Sequence, residues 1–136
     1  MDNLYLKETE ETPWIIFDKD KSIFRMGGKS YMEDATSFYE PVLKWLKAYV
    51  QSPLSFTRFV FEMEYVNTAS SKVVNDILDI LEDLYLGSSG LEVEWCYFEE
   101  DEDMEGMGEE YKEIYDIPFV FKQIDRQRPD NLFEID

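Results

Sequence analysis

The feature that most constrains the fold is a strand pattern near the middle of the chain that runs directly into a helical pattern. Residues 57–66 alternate between an apolar face and a mixed face, as a strand with one buried face does. The predicted core face carries Phe59, Phe61, Met63 and Tyr65, and the opposite face carries Val60, Glu62, Glu64 and Val66. From Val73 onward, apolar residues recur at helical spacing through Ile77, Leu81 and Tyr85. A strand that continues into a helix is typical of an α/β domain.

Patterns on both sides of this unit repeat the alternation of strands and helices. Residues 14–17 and 23–26 are apolar runs around a polar turn, which predicts a hairpin closed by Gly27 and Gly28. Further strands are predicted over residues 4–6, as an edge strand, and over residues 91–98 and 117–121. Pro118 places the last of these at a sheet edge or at a strand start. This order predicts an α/β, sandwich-like fold in which helices pack on a partly parallel, mixed sheet.

The first helix is predicted from an apolar stripe at helical spacing: Phe38, Val42, Trp45, Leu46 and Tyr49. Pro41 lies inside this stripe. Two interpretations are open, since the main helix either begins at Pro41, with proline in its first turn, or continues from an earlier turn that is kinked onto it.

The length of 136 residues, without an internal boundary, predicts one domain. We assign residues 1–124 to this domain and residues 125–136 to a C-terminal tail that we expect to be poorly ordered. Hydrophobic residues make up 44% of the chain, which is enough to build a core without disulfides.

Charge narrows the classes of partner. The chain has 31 acidic and 13 basic residues, a formal net charge of -18. Such a surface repels nucleic acids and anionic membranes, so neither is an expected partner. Solubility alone and a partner with basic patches both explain the excess. No signal-peptide pattern and no apolar run of about 18 residues appears, so a cytoplasmic protein is predicted.

The absence of histidine removes much of ordinary hydrolase chemistry. Ser-His-Asp and Cys-His nucleophiles need it, and it is the commonest metal ligand. No glycine-rich phosphate-binding loop appears, and the single cysteine, Cys96, is predicted to be a packed thiol. We therefore predict that the chain is not an enzyme and needs no cofactor. A carboxylate pair such as Glu62 and Glu64 is the residual enzymatic alternative.

The acidic segment at residues 99–110 partly matches a calcium-binding loop. The matching positions are occupied by Asp101, Asp103, Glu105 and Gly106. Lys112 stands where such a loop requires a bidentate glutamate. We therefore predict a solvated acidic loop without a metal, followed by a short helix over residues 111–115. The alternative function that this segment supports is a cation-binding or structural interaction protein acting through the loop.

The junction between the central strand and helix concentrates small polar side chains. It contains Asn67, Thr68, Ser70, Ser71 and Lys72. Asparagine, serine and threonine are natural helix N-caps, and one of these residues is expected to cap the helix. A helix N-terminus also offers free N–H groups and the positive end of the dipole, which favour an attached phosphate. The junction is thus a candidate phosphorylation site, although spacing does not choose among its three hydroxyls.

Four segments, in order along the chain, resemble the SiaC family of bacterial regulatory phosphoproteins. They are Phe-Tyr-Glu-Pro-Val-Leu-Lys-Trp-Leu at residues 38–46, Tyr-Val-Asn-Thr-Ala-Ser-Ser-Lys at 65–72 followed by Ile-Leu-Asp-Ile-Leu at 77–81, Asp-Glu-Asp-Met at 101–104, and Asp-Ile-Pro-Phe at 116–119. The resemblance spans roughly residues 5–122. It implies an STAS-like fold, related in architecture to anti-sigma-factor antagonists.

The resemblance also implies a function. In the family, a GHKL-type Ser/Thr kinase adds a phosphate, a PP2C-type phosphatase removes it, and Thr68 matches the acceptor. The unphosphorylated form binds and activates a diguanylate cyclase, which raises cyclic di-GMP and promotes aggregation and biofilm formation. In this interpretation Asn67 holds the turn, Ser70 and Ser71 shape the loop or cap the helix, and Lys72 lies near the phosphate. The chain is then a signalling switch.

Overall fold

The computed structural model describes residues 1–125, where six strands and three helices form. The strands are β1 (Leu4–Leu6), β2 (Trp14–Asp18), β3 (Ile23–Ser30), β4 (Phe56–Val66), β5 (Gly90–Phe98) and β6 (Phe119–Ile124), and the helices are α1 (Ala35–Tyr49), α2 (Thr68–Leu86) and α3 (Glu102–Ile114). Of the predicted C-terminal tail, residues 125–136, all but Asp125 lie outside the described residues.

The strands lie in the sheet in the order in which they occur in the chain. β1, β2 and β3 are antiparallel neighbours, whereas β3, β4, β5 and β6 run parallel. Each parallel connection contains one helix, because parallel neighbours need a crossover. The predicted mixed sheet with helices packed on it is therefore confirmed, as are the hairpin and the two edge strands.

The three helices pack on the same face of the sheet. Their buried side chains form one cluster with the inward-facing residues of β4 and β5, among them Phe61 and Trp95. Tyr39 of α1, Ile77 of α2 and Tyr111 of α3 belong to this cluster. Right-handed crossovers between strands that follow one another in order produce this one-sided arrangement. The core thus lies between the sheet and a single layer of helices.

The first helix begins before Pro41. Asp34 caps it, since its carboxylate accepts a hydrogen bond from the Ser37 N–H at 3.1 Å. The helix starts at Ala35 and continues through Pro41, which is exposed. The interpretation in which the helix starts at Pro41 is therefore wrong. A proline at this position removes one helical hydrogen bond on the solvent side.

A bulge near the end of β4 overturns the predicted facing of its last residues. Gly28 pairs with Met63 and Lys29 with Tyr65, so Glu64 has no partner on β3. One extra residue turns the following side chains over. Tyr65 is therefore 51% exposed and Val66 only 8% exposed, the reverse of the prediction.

The sequence predicts that Gly27 and Gly28 end the second strand of the hairpin. This prediction is wrong, because β3 continues through both glycines to Ser30. A Cβ on Gly27 would stand 2.5 Å from Cζ2 of Trp14, because the indole covers this glycine. Gly28 lies at the bulge with φ of 91°, a value that favours glycine. The glycines thus allow the close approach of Trp14 and the change of register.

The prediction of an acidic loop at residues 99–110 is wrong, because α3 occupies most of this segment. Asp101 caps the helix by accepting a hydrogen bond from the Met104 N–H at 3.1 Å. Acidic residues in the first turn complement the helix dipole. Gly108 faces the core, where a Cβ would stand 2.4 Å from Cδ1 of Trp95. Gly108, one of the two glycines in the segment predicted to be a loop, therefore allows α3 to pack closely on Trp95 of the sheet.

Candidate functional site

Asn67 connects the end of β4 to the start of α2 and fixes the junction on three sides. Its side-chain oxygen accepts a hydrogen bond from the Ser70 N–H at 2.8 Å, which makes it the N-cap. Its side-chain nitrogen donates to the Met32 carbonyl at 3.2 Å, and its backbone N–H donates to the Ser30 carbonyl at 2.9 Å. Asn67 thus links the first turn of α2 to the end of β3 and to the segment that follows it.

Ser70 is the buried hydroxyl of the junction, with no exposed surface. It lies 2.7 Å from the hydroxyl of Ser30, which is also 2.7 Å from the hydroxyl of Tyr39 on α1. Burial raises the pKa of Tyr39 to about 12, so the ring stays neutral. This buried network ties β3, α1 and α2 together beneath the junction. It withholds Ser70 from any modifying enzyme.

Ser71 is partly buried and its hydroxyl is engaged locally. The hydroxyl donates to the Thr68 carbonyl at 2.8 Å, and the backbone N–H donates to the Asn67 carbonyl at 2.8 Å. The Ser71 carbonyl accepts a hydrogen bond from the hydroxyl of Tyr111 at 3.1 Å, which links the first turn of α2 to α3. Both donor groups of Ser71 are thus used inside the first turn of α2.

Thr68 is the first residue of α2 and is exposed. Within residues 1–125, no side chain or backbone group hydrogen-bonds its hydroxyl. Lys72 follows one helical turn later, so the two side chains lie on the same side of α2. The first turn of α2 carries no acidic residue. Of the three hydroxyls, Thr68 is thus the one that faces solvent at the positive end of a helix.

A shallow cleft of about 620 Å³ adjoins the junction and was not predicted. It is lined by Lys29, Tyr31, Tyr65 and Asn67. The rings of Tyr31 and Tyr65 meet edge to face, with centroids 5.8 Å apart. Strict alternation along β4 hid this pair by assigning Tyr65 to the core. The available signal was the Gly-Gly pair in β3, because glycine inside a strand often marks a bulge.

The acidic residues of the described chain form no metal centre. No group of three or more Asp, Glu or Cys side chains within residues 1–125 is arranged to hold an ion. Asp101 is engaged as the cap of α3. Burial, assisted by nearby Glu62 and Glu94, raises the pKa of the Cys96 thiol to about 12, which leaves it unreactive. In the same part of the chain, no helix has the length and hydrophobicity to cross a bilayer.

Comparisons with known proteins find relatives that share this fold. SiaC of Pseudomonas aeruginosa is 27% identical and has a TM-score of 0.83, over 91% of this chain and all of that chain. A crystal structure of the diguanylate cyclase SiaD in complex with its activator SiaC, from the same organism, gives 27% identity and a TM-score of 0.83, over 89% of this chain and 99% of that chain. An uncharacterised protein of Pseudomonas aeruginosa strain UCBPP-PA14 is 30% identical over 92% of this chain and 99% of its own length.

The fold and these relatives define the chain as a regulatory α/β protein. The model of the SiaC family regulatory phosphoproteins matches residues 6–124, which is most of the chain. The chain belongs to the SiaC family.

Proposed function

We propose that this chain is a non-enzymatic switch that binds and activates a diguanylate cyclase when Thr68 is unphosphorylated. The cyclase partner is supported by the complex of SiaD with its activator SiaC, whose fold this chain shares. Control by phosphate is supported by family membership. The observation that carries the choice of Thr68 is its position as the exposed, uncommitted hydroxyl at the start of α2.

Phosphate is well accommodated at this position. It adds about -1.5 to -2 charges at neutral pH, next to the positive end of a 19-residue helix. The ammonium group of Lys72, one turn away, is within reach of such a group. The added charge then opposes any partner segment that presents a carboxylate or an apolar surface there. In this scheme a GHKL-type kinase adds the phosphate and a PP2C-type phosphatase restores the binding form.

The acceptor is tested by incubating the protein with the kinase and ATP and mapping phosphate by mass spectrometry. We expect one phosphate on the wild-type chain and none on Thr68→Ala. The matched control is Ser71→Ala, which removes a neighbouring hydroxyl that already donates within the turn, and it should still be phosphorylated. Phosphate on Thr68→Ala would move the acceptor elsewhere, and an unmodified wild-type chain would contradict the switch.

The output is tested with the same samples. Unphosphorylated protein should raise the rate of cyclic di-GMP synthesis by the cyclase, and protein phosphorylated on Thr68 should not. Equal activation by both forms would contradict control by phosphate while leaving the cyclase as a partner.

A further inference from the structure

The cleft beside Thr68 exposes two aromatic side chains that the core does not use. Tyr31 is 39% exposed and Tyr65 is 51% exposed, and their rings contact each other edge to face. Tyrosine is enriched among the residues that dominate protein–protein binding, because a rigid ring offers apolar area with a polar tip. Two adjacent exposed tyrosines are therefore a candidate anchor for a partner.

The two rings are held by rigid supports. The bulge at Glu64 turns Tyr65 outward from the end of β4. Tyr31 directly follows β3, and its backbone N–H donates to the Glu11 carbonyl at 3.0 Å. Both rings thus project from the ends of central strands. A surface that is organised before binding loses little conformational freedom when a partner arrives.

The charged residue that lines the cleft is opposite in sign to the net charge of the whole chain. Lys29 lines the cleft and Lys72 lies on the adjoining turn of α2. Neither forms an ion pair within residues 1–125, where Arg25, Lys44 and Arg58 do. In a chain of net charge -18, two uncommitted cations beside the junction form a local site for a carboxylate.

We infer that Tyr31, Tyr65 and Lys29 form the part of the cyclase-binding surface that Thr68 controls. The occupant is a segment of the cyclase with an aliphatic side chain against the two rings and a carboxylate on Lys29. A phosphate on Thr68 repels that carboxylate and competes for the lysines. This inference rests on the proposed function, and it adds the surface and the chemistry of the segment it receives.

The aromatic anchor is tested by measuring the affinity of unphosphorylated variants for the purified diguanylate cyclase that the wild-type chain activates. Tyr65→Ala should weaken binding by about tenfold or more, as truncation of an anchor residue does. The matched control is Tyr85→Ala, another exposed tyrosine near the opposite end of α2, which should bind as the wild-type chain does. Because Tyr65 is half exposed, thermal unfolding should show both variants folded.

The charge requirement is tested separately with Lys29→Met, which keeps most of the stem of the side chain and removes its charge. This variant should bind more weakly and its affinity should depend less on salt than that of the wild-type chain.

Wild-type affinity in both Tyr65→Ala and the Tyr31→Ala, Tyr65→Ala double variant would overturn the anchor while leaving cyclase activation intact. An unchanged salt dependence in Lys29→Met would overturn the carboxylate. A wild-type chain that binds no cyclase would overturn the proposed function and this surface together.

Discussion

Thr68 and Ser70 lie in the same turn of α2, yet one hydroxyl is exposed and the other is completely buried. The sequence predicts a cluster of equivalent hydroxyls, because all of them are good helix caps. Their difference depends on Ser30 and Tyr39, which are distant in the chain and supply the buried partners of Ser70. The spacing of residues along the chain contains no information about such distant partners. Choosing a candidate phosphate acceptor among the three hydroxyls therefore needed either the family resemblance or the fold.

The buried hydroxyl network predicts a stability effect at Ser30. Ser30→Ala removes the hydroxyl that bridges Tyr39 and Ser70, which takes away the partner of the Tyr39 hydroxyl and leaves Ser70 only the sulfur of Met32 at 3.5 Å. We expect the free energy of unfolding to fall by about 2 kcal/mol, since buried polar groups without partners are costly. Urea unfolding measures this change. The control is Thr36→Ala, at an exposed position of α1, and an equally small effect in both variants would contradict the role of the network.

At the scale of elements, α2 and most of β4 follow from the sequence because their apolar residues keep a single period, which in β4 ends at the bulge. The helix α3 does not follow from the sequence, because two glycines and many carboxylates obscure its buried stripe of Met104, Gly108 and Tyr111. Gly108 belongs to that stripe because the absence of a side chain leaves room for the indole of Trp95. The indole Nε1 donates a hydrogen bond to the Met104 carbonyl at 2.9 Å. A search for apolar side chains at helical spacing cannot find Gly108, because this buried position of the helix has no side chain.

The two glycines of α3 predict opposite effects of the same substitution. Gly106→Ala meets no atom within 4 Å and should stabilise the protein by roughly 0.5–1 kcal/mol, because alanine favours a helix. Gly108→Ala would place its Cβ 2.4 Å from Trp95 and 2.8 Å from Phe121. We expect it to destabilise the protein by about 1–3 kcal/mol, the usual cost of overpacking.

Urea unfolding of the two alanine variants distinguishes packing from helix propensity. If propensity dominated, both variants would be more stable than the wild-type chain. That result would show that α3 does not pack on Trp95 in the way described.

At the scale of the whole molecule, the helices cover one face of the sheet, and the other face carries charged side chains beside buried apolar ones such as Trp14 and Ile16. Arg25 pairs with Glu62 at 2.7 Å and Arg58 with Glu92 at 2.9 Å across neighbouring strands of that second face. These pairs neutralise a small part of the excess of acidic residues. A net charge of -18 on 136 residues leaves the folded state with substantial self-repulsion.

This charge predicts that salt stabilises the fold. Raising NaCl from about 0.01 M to about 0.15 M shortens the Debye length from about 30 Å to about 8 Å, which screens repulsion across the surface. We expect the unfolding temperature to rise over this interval, as followed by circular dichroism. KCl should have the same effect, because screening depends on ionic strength. A midpoint that falls or stays constant would show that attractive ion pairs outweigh repulsion.

The order of the strands also bears on how the chain folds during synthesis. Each strand pairs with the strand that precedes it in the chain. During synthesis, each new strand can therefore pair with one that has already been made. The buried bonds that hold the junction all join residues between Ser30 and Ser70. The first 70 residues therefore contain every partner in these bonds, and the later part of the chain adds the bond from Tyr111 to Ser71.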